Sequence, residues 1–95
     1  MRIARVIGSV VSTIKADALT GAKLLVVAPL GETHAAEPYV AVDTVGAGRG
    51  EVVLVATGGA ARLAERQSSQ APVDSTIVAI VDRLETEAWV NYVKD

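Results

Sequence analysis

The stretch DTVGAGRGEVVLVATGGAAR, residues 43–62, holds five of the chain's eight glycines. They fall into two groups, Gly46, Gly48 and Gly50 on one side and Gly58 and Gly59 on the other, with the apolar run EVVLVAT between them. A glycine-rich segment can cradle phosphate when it follows a strand and opens a helix, because the helix N-terminus presents free N–H groups. Here the spacing is GxGxG. Glu51 stands where the dinucleotide fingerprint needs its third glycine, and no Gly-Lys-Ser/Thr ending is present. The residues that follow read as a strand, so an anion would find no helix N-terminus. Gly46, Gly48 and Gly50 are therefore read as a tight structural turn between two strands, with glycine supplying positive φ.

Working outward, the rest of the chain is a series of short β-branched runs separated by turn residues. Residues 3–13 read as a first strand with a bend or bulge at Gly8. Residues 15–23 read as a loop turning at Gly21. A second strand covers 23–30, and Pro29 marks its far end as an edge. After the polar loop GETHAAEP, residues 39–42 form a short third strand and 51–57 a fourth. AARLAER, 60–66, has the composition of a short helix. Residues 75–85 read as a fifth strand, and the alternating tail AWVNYVK, 88–94, as a sixth. Five to six strands with one short helix indicate an all-β fold, a small OB-like β-barrel. At 95 residues one domain is expected.

Composition adds a second inference. Hydrophobic residues make up 51% of the 95, yet only 3% are aromatic and none is Phe. So much aliphatic side chain exceeds what one small core can take in. VVLVA and IVAIV are apolar on both faces, and too few helices are available to cover a sheet twice. One face then belongs to the barrel core and the other to a neighbouring copy. An Asp at Val53 or Ile80 is expected to block assembly by burying an unpaired charge. The net charge of −2 and the absence of a basic stripe argue against nucleic acid. The three aromatics Tyr39, Trp89 and Tyr92 are too few for a base-stacking groove. There is no cysteine, no signal-peptide pattern and no membrane-length apolar run, so a cytoplasmic, soluble chain is expected.

Catalytic groups are scarce. His34 is the only histidine and lies in a polar loop, with no second histidine for zinc and no GxSxG elbow. Asp43, Asp74 and Asp82 each fall at a strand end, where Asp makes turns. No cofactor and no metal are expected, and the chain is read as a non-enzyme. In the second glycine group, Gly58 and Gly59 serve either a strand-to-helix turn or the close approach of several backbones around an axis. Arg62, in an apolar stretch, calls for an acidic partner, with Asp74 and Asp82 available within the chain or across subunits.

RIARVIGSVVSTIKADALTGAKLLVV, AVDTVGAGRGEVVLVATGGAAR and APVDSTIVAIVD, in that order, resemble the bacterial microcompartment vertex proteins of the EutN/CcmL family. The likeness spans residues 1 to about 84, which implies a vertex-protein barrel domain over 1–84 and a variable tail over 85–95. It implies an OB-like barrel assembling as a cyclic pentamer that caps the five-fold vertices of carboxysome- or metabolosome-type shells, beside hexagonal shell proteins. It implies that Gly58, Gly59, Ala60 and Ala61 lie near the five-fold axis and its pore. Arg62, Pro72, Val73 and Asp74 would belong to a subunit interface or ion pair. The family often has serine where Gly59 stands and arginine where Ala71 stands. The alternative reading is an oligomeric OB-fold binding module for nucleic acid or a small ligand.

Overall fold

A β-branched residue at every second position makes a strand with one face that must be covered, and five such strands can cover one another by closing on themselves. That is the architecture found in a computed structural model, which describes residues 1–12, 17–19, 21–30, 37–59, 73–85 and 90–94. The strands are β1 (Arg2–Ser9), β2 (Lys23–Pro29), β3 (Tyr39–Asp43), β4 (Val52–Thr57), β5 (Ser75–Ile80), β6 (Arg83–Glu85) and β7 (Val90–Val93). The first five form a closed barrel in the order β1-β2-β3-β5-β4. All neighbouring pairs are antiparallel except β3–β5, which is parallel and short: Val42 faces Thr76 and Asp43 faces Ile77. A 3₁₀ turn, Asp17–Leu19, precedes the turn at Gly21, whose φ is +83°.

Two bulges help the sheet to curl. The β1–β2 register shifts between Val6 and Gly8, the bend expected from the sequence. The β4–β5 register shifts between Leu54 and Val55, leaving Val78 as the extra residue. Pro29 pairs with Ala4 of β1, whereas the β2–β3 ladder ends at Val27, so the end of β2 is open on the β3 side.

The barrel interior is aliphatic. Val6, Val27, Val53, Val55 and Ile77 are fully buried, packed with Ala4, Leu25, Ala41 and Ala47, and Tyr39 and Ile80 close around them. Each such Val or Ile contributes about 1.5–3 kcal/mol relative to exposure. Val42 and Val73 form a smaller cluster outside the barrel wall, covered by Leu19, Ala22 and Leu24.

Three readings of the sequence change here: the first strand ends at Ser9 and not at residue 13, the run 75–85 breaks, and Val53 and Ile80 face inward. The run 75–85 is not one strand: it stops at Ile80, Val81 donates its N–H to the Val52 carbonyl, and β6 begins at Arg83. β6 and β7 form a separate two-stranded antiparallel sheet, which straddles the boundary expected at residues 84 and 85. Val53 and Ile80 face the barrel interior, so a charge there tests folding. The outward positions are their neighbours Leu54 and Ala79, paired across β4 and β5. The helix expected at 60–66 lies outside the described residues.

Candidate functional site

The turn between β3 and β4 is built around two carboxylates. Asp43 ends β3 with its side chain only 2% exposed. Its Oδ1 accepts hydrogen bonds from the Val45 and Ala47 amides at 3.1 and 3.2 Å, and Oδ2 accepts from Ala47 at 3.1 Å. Lys23 on β2 lies 3.8 Å from Oδ2 and donates to the Ala47 carbonyl at 3.4 Å. Ala47 is thereby pressed into the core. On the far side, Glu51 accepts from the Gly48 amide at 2.5 Å through Oε1, while Oε2 pairs with Lys94 at 2.6 Å. The ammonium of Lys94 and the Gly48 N–H both favour the charged carboxylate, and they hold the Glu51 carboxyl below its usual range.

Gly46 and Gly50 adopt φ of +78° and +88°, the left-handed region that glycine enters freely. Gly48 does not, so positive φ is not its reason for being glycine. A Cβ there would stand 3.3 Å from Glu51 Oε1, against the carboxylate that binds its own amide. The turn is stitched to β1 by Gly50 N–H to the Val6 carbonyl, Val6 N–H to the Glu51 carbonyl, and Arg5 to the Gly50 carbonyl at 2.7 Å. Arg49 Nε reaches the Ile7 carbonyl at 3.4 Å.

These contacts bear on the phosphate question. The amides of Val45, Ala47, Gly48, Gly50 and Glu51 all donate within the chain. The places an anion would take are filled by Asp43 and Glu51, whose charges would also repel it. Sequence reasoning assigned Asp43 to a turn. It treated Glu51 only as a missing glycine, although a carboxylate three residues beyond Gly48 is placed to bind that amide.

The second glycine group has few contacts. Gly58 has φ of +65° and donates to the Asp74 carbonyl at 2.9 Å. Gly58 and Gly59 are exposed, and no atom of a described residue lies within 4 Å of where a Cβ would sit on either. Val73 is buried in the outer cluster, and Asp74 is exposed beside it. Ala60, Ala61, Arg62 and Pro72 lie outside the described residues, as do His34 and Trp89.

Near the same end of the barrel an open cleft is lined by Arg2, Glu37, Tyr39, Val40, Asp74 and Ser75, among others. The Arg2 guanidinium carbon stands 5.0 Å from the centre of the Tyr39 ring, a cation–π arrangement. Burial pushes the Tyr39 hydroxyl pKa up, and the positive charge of Arg2 opposes it. The hydroxyl oxygen is buried without a hydrogen-bond partner among the described residues, and the ring packs on the barrel core. Tyr39 is thus a packing residue and not a platform for a stacked base. Among the described residues no group of three or more His, Asp or Glu side chains converges to hold a metal ion. No described helix is long and apolar enough to cross a membrane.

The described residues form a closed barrel with a hydrogen-bonded turn at one end of β4 and a glycine pair at the other, and among them no group of potential metal-binding side chains converges. Comparison with known proteins agrees with it. The chain is 47% identical to the carboxysome shell vertex protein CcmL of Thermosynechococcus vestitus, over 99% of this chain and 96% of that one. A solved carboxysome subunit, CcmL, superposes with a TM-score of 0.89 at 44% identity, covering both chains completely. The pentameric microcompartment shell protein GrpN from Rhodospirillum rubrum superposes with a TM-score of 0.79 at 48% identity, covering 90% of this chain and 99% of that one. With residues 1–82 also matching the family model described as ethanolamine utilisation protein EutN/carboxysome, the chain belongs to the EutN/CcmL family.

Proposed function

We propose that this chain is a structural shell protein whose ring of five copies caps a vertex of a bacterial microcompartment, of carboxysome or metabolosome type. The observation that supports this most is the near-complete match to proteins named as shell vertex components and to a pentameric solved relative. The action is geometric. A flat sheet of hexagonal tiles cannot close, and five-fold units at the corners supply the missing curvature. A cyclic ring needs a head-to-tail contact, in which one patch of each chain meets a different patch of the next.

The chain is not an enzyme and needs no cofactor. In support, the turn amides are already used by Asp43 and Glu51, and the other candidate acids, Asp74 and Asp82, are exposed. Its partners are further copies of itself and hexagonal shell proteins, and its place is the shell within the cytoplasm. Residues 1–84, which contain all five barrel strands, form the vertex unit, and 85–95 extend it. Gly58, Gly59, Ala60 and Ala61 line the approach to the five-fold axis, where missing side chains let backbones come close. Arg62, Pro72, Val73 and Asp74 belong to the contact between subunits. No observation favours the nucleic-acid or small-ligand alternative. Native mass spectrometry tests the proposal: the expected mass is five times the 9.8 kDa chain. A monomer, or a ring of another order, overturns it.

A further inference from the structure

The small sheet of β6 and β7 meets the barrel at two points that lie side by side. Where the chain leaves the barrel, the Val81 N–H donates to the Val52 carbonyl at 2.8 Å. Where β7 ends, the Lys94 N–H donates to the Asp82 carbonyl at 2.7 Å, and the Lys94 ammonium stands 2.6 Å from Glu51 Oε2. The two side chains of that pair are only partly exposed, 36% for Lys94 and 22% for Glu51, so solvent screens them less than an open surface pair. Glu51 and Val52 are consecutive residues. Both ends of the sheet are therefore tied to the start of β4.

Glu51 has a second task. Its Oε1 accepts the Gly48 amide at 2.5 Å. The two oxygens of one carboxylate are fixed in a plane, so a charge-assisted bond on Oε2 orients Oε1. The approach to Gly48 is close: a Cβ there would stand 3.3 Å from Oε1. The other cations at the turn reach carbonyls, Arg5 that of Gly50 and Arg49 that of Ile7. Gly48 also lines, with Ala47 and Arg49, an open cleft of about 350 Å³ that it shares with Val6 of β1 and Leu25 of β2.

We infer that the β6–β7 sheet is a strap, fastened by Lys94, whose docking sets the order of the β3–β4 turn through the two oxygens of Glu51. Release of Lys94 removes the charge that orients the carboxylate. The Gly48 amide then loses a fixed acceptor, and the turn side of the cleft loosens. Coupling between two sites is reciprocal, so a change at Gly48 that displaces the carboxylate loosens the strap in return. The coupling runs within one chain and stands apart from the ring reading. The tail is a control on the turn and not an inert extension.

Residue-resolved amide hydrogen exchange, on the full chain in its native assembly, tests this. In Lys94→Met the amides at positions 48 and 94 are expected to exchange at least about fivefold faster than in the unaltered protein, the lower end of a coupling between sites. The β1–β2 amides should keep their rates. Lys94→Arg retains a cation and should restore protection at both positions. Gly48→Ala should speed exchange at position 94 with no substitution in the tail. Lys94→Met alters one side chain next to the end of the chain and leaves every barrel residue intact, so the result does not depend on whether Gly48→Ala folds. Faster exchange at position 94 with an unchanged Gly48 amide overturns the inference, because strap and turn are then independent. So do unchanged rates at both positions, a uniform rise that includes the β1–β2 ladder, or a folded Gly48→Ala variant with the original rate at position 94.

Discussion

β4 joins two glycine groups that behave as opposites. At its start, Gly46, Gly48 and Gly50 sit in a turn whose amides are bound by Asp43 and Glu51 and whose carbonyls are held by Lys23 and Arg5. At its end, among the described residues, Gly58 and Gly59 have one backbone hydrogen bond and no atom close to where a Cβ would sit. In the first group glycine matters for the backbone angles and close approaches it permits, while nearby side chains do the binding. In the second it matters for the side chain it lacks. Glycine content alone does not separate these uses; the acids that flank it do.

The comparison breaks most sharply at Asp43. Asp43→Ala leaves the Val45 and Ala47 amides without their acceptor and Lys23 without its carboxylate. It is expected to cost about 2–3 kcal/mol, read from urea unfolding at fixed chain concentration. Asp43→Asn keeps one acceptor oxygen and should recover part of the loss. Gly46→Ala and Gly50→Ala come next, at about 1–2 kcal/mol each, because an L side chain is forced into the left-handed region while the surrounding space is open.

A smaller effect is expected at Glu51, visible in the acid limb of the stability curve. Its carboxyl is held below the ordinary value of 4.5, so the folded chain binds that proton less readily than the unfolded one. The resulting stability is complete above the ordinary glutamate range and is lost as pH falls through the lower folded value. Glu51→Gln should flatten that part of the curve, and added salt should weaken the Lys94 pair. The smallest change in chain stability is expected at Gly59→Ala, within about 0.5 kcal/mol. If the bare end faces the five-fold axis, the same variant should lower the population of rings in native mass spectra. An unchanged ring population would remove the distinction between the two groups.

Much of this fold can be read from the residues. Runs of Val and Ile bounded by Gly, Pro and Asp mark β2 to β4 closely and Gly8 marks a bulge, but the β-branched run 10–13 draws the first strand past its real end at Ser9. The excess of aliphatic residues follows from their number against the size of a 95-residue core. The inward face of β4 is not legible in the same way, because Val52 to Ala56 are all apolar and a period of two leaves no trace. The bulge opposite Leu54 and Val55 then sets the phase of β5. The break at Val81 is hidden for a related reason. IVAIVDRLE has no turn signal stronger than Asp82, and the chain leaves the barrel there to pair with a tail strand further on. The clasp between Glu51 and Lys94 joins residues remote in sequence, and neither is unusual by itself. The number five came from resemblance to a family and not from composition.

The parallel seam between β3 and β5 has a kinetic consequence. Antiparallel β1–β2 and β2–β3 join neighbours in sequence and need only short loops to close. The seam joins Val42 and Asp43 to Thr76 and Ile77, across the whole length of β4 and its connections. Such a contact carries a larger loop-closure entropy than those two pairings and is expected to form after them; β1–β4 spans still more chain but has four residue pairs to hold it. The seam is also short, secured mainly by the two residue pairs and by the Thr44 hydroxyl donating to the Ile77 carbonyl at 2.7 Å. The barrel therefore has a preferred line along which to open. Amide hydrogen exchange should be fastest along β3 and β5 within the barrel, while β1 and β2 hold their protons longest.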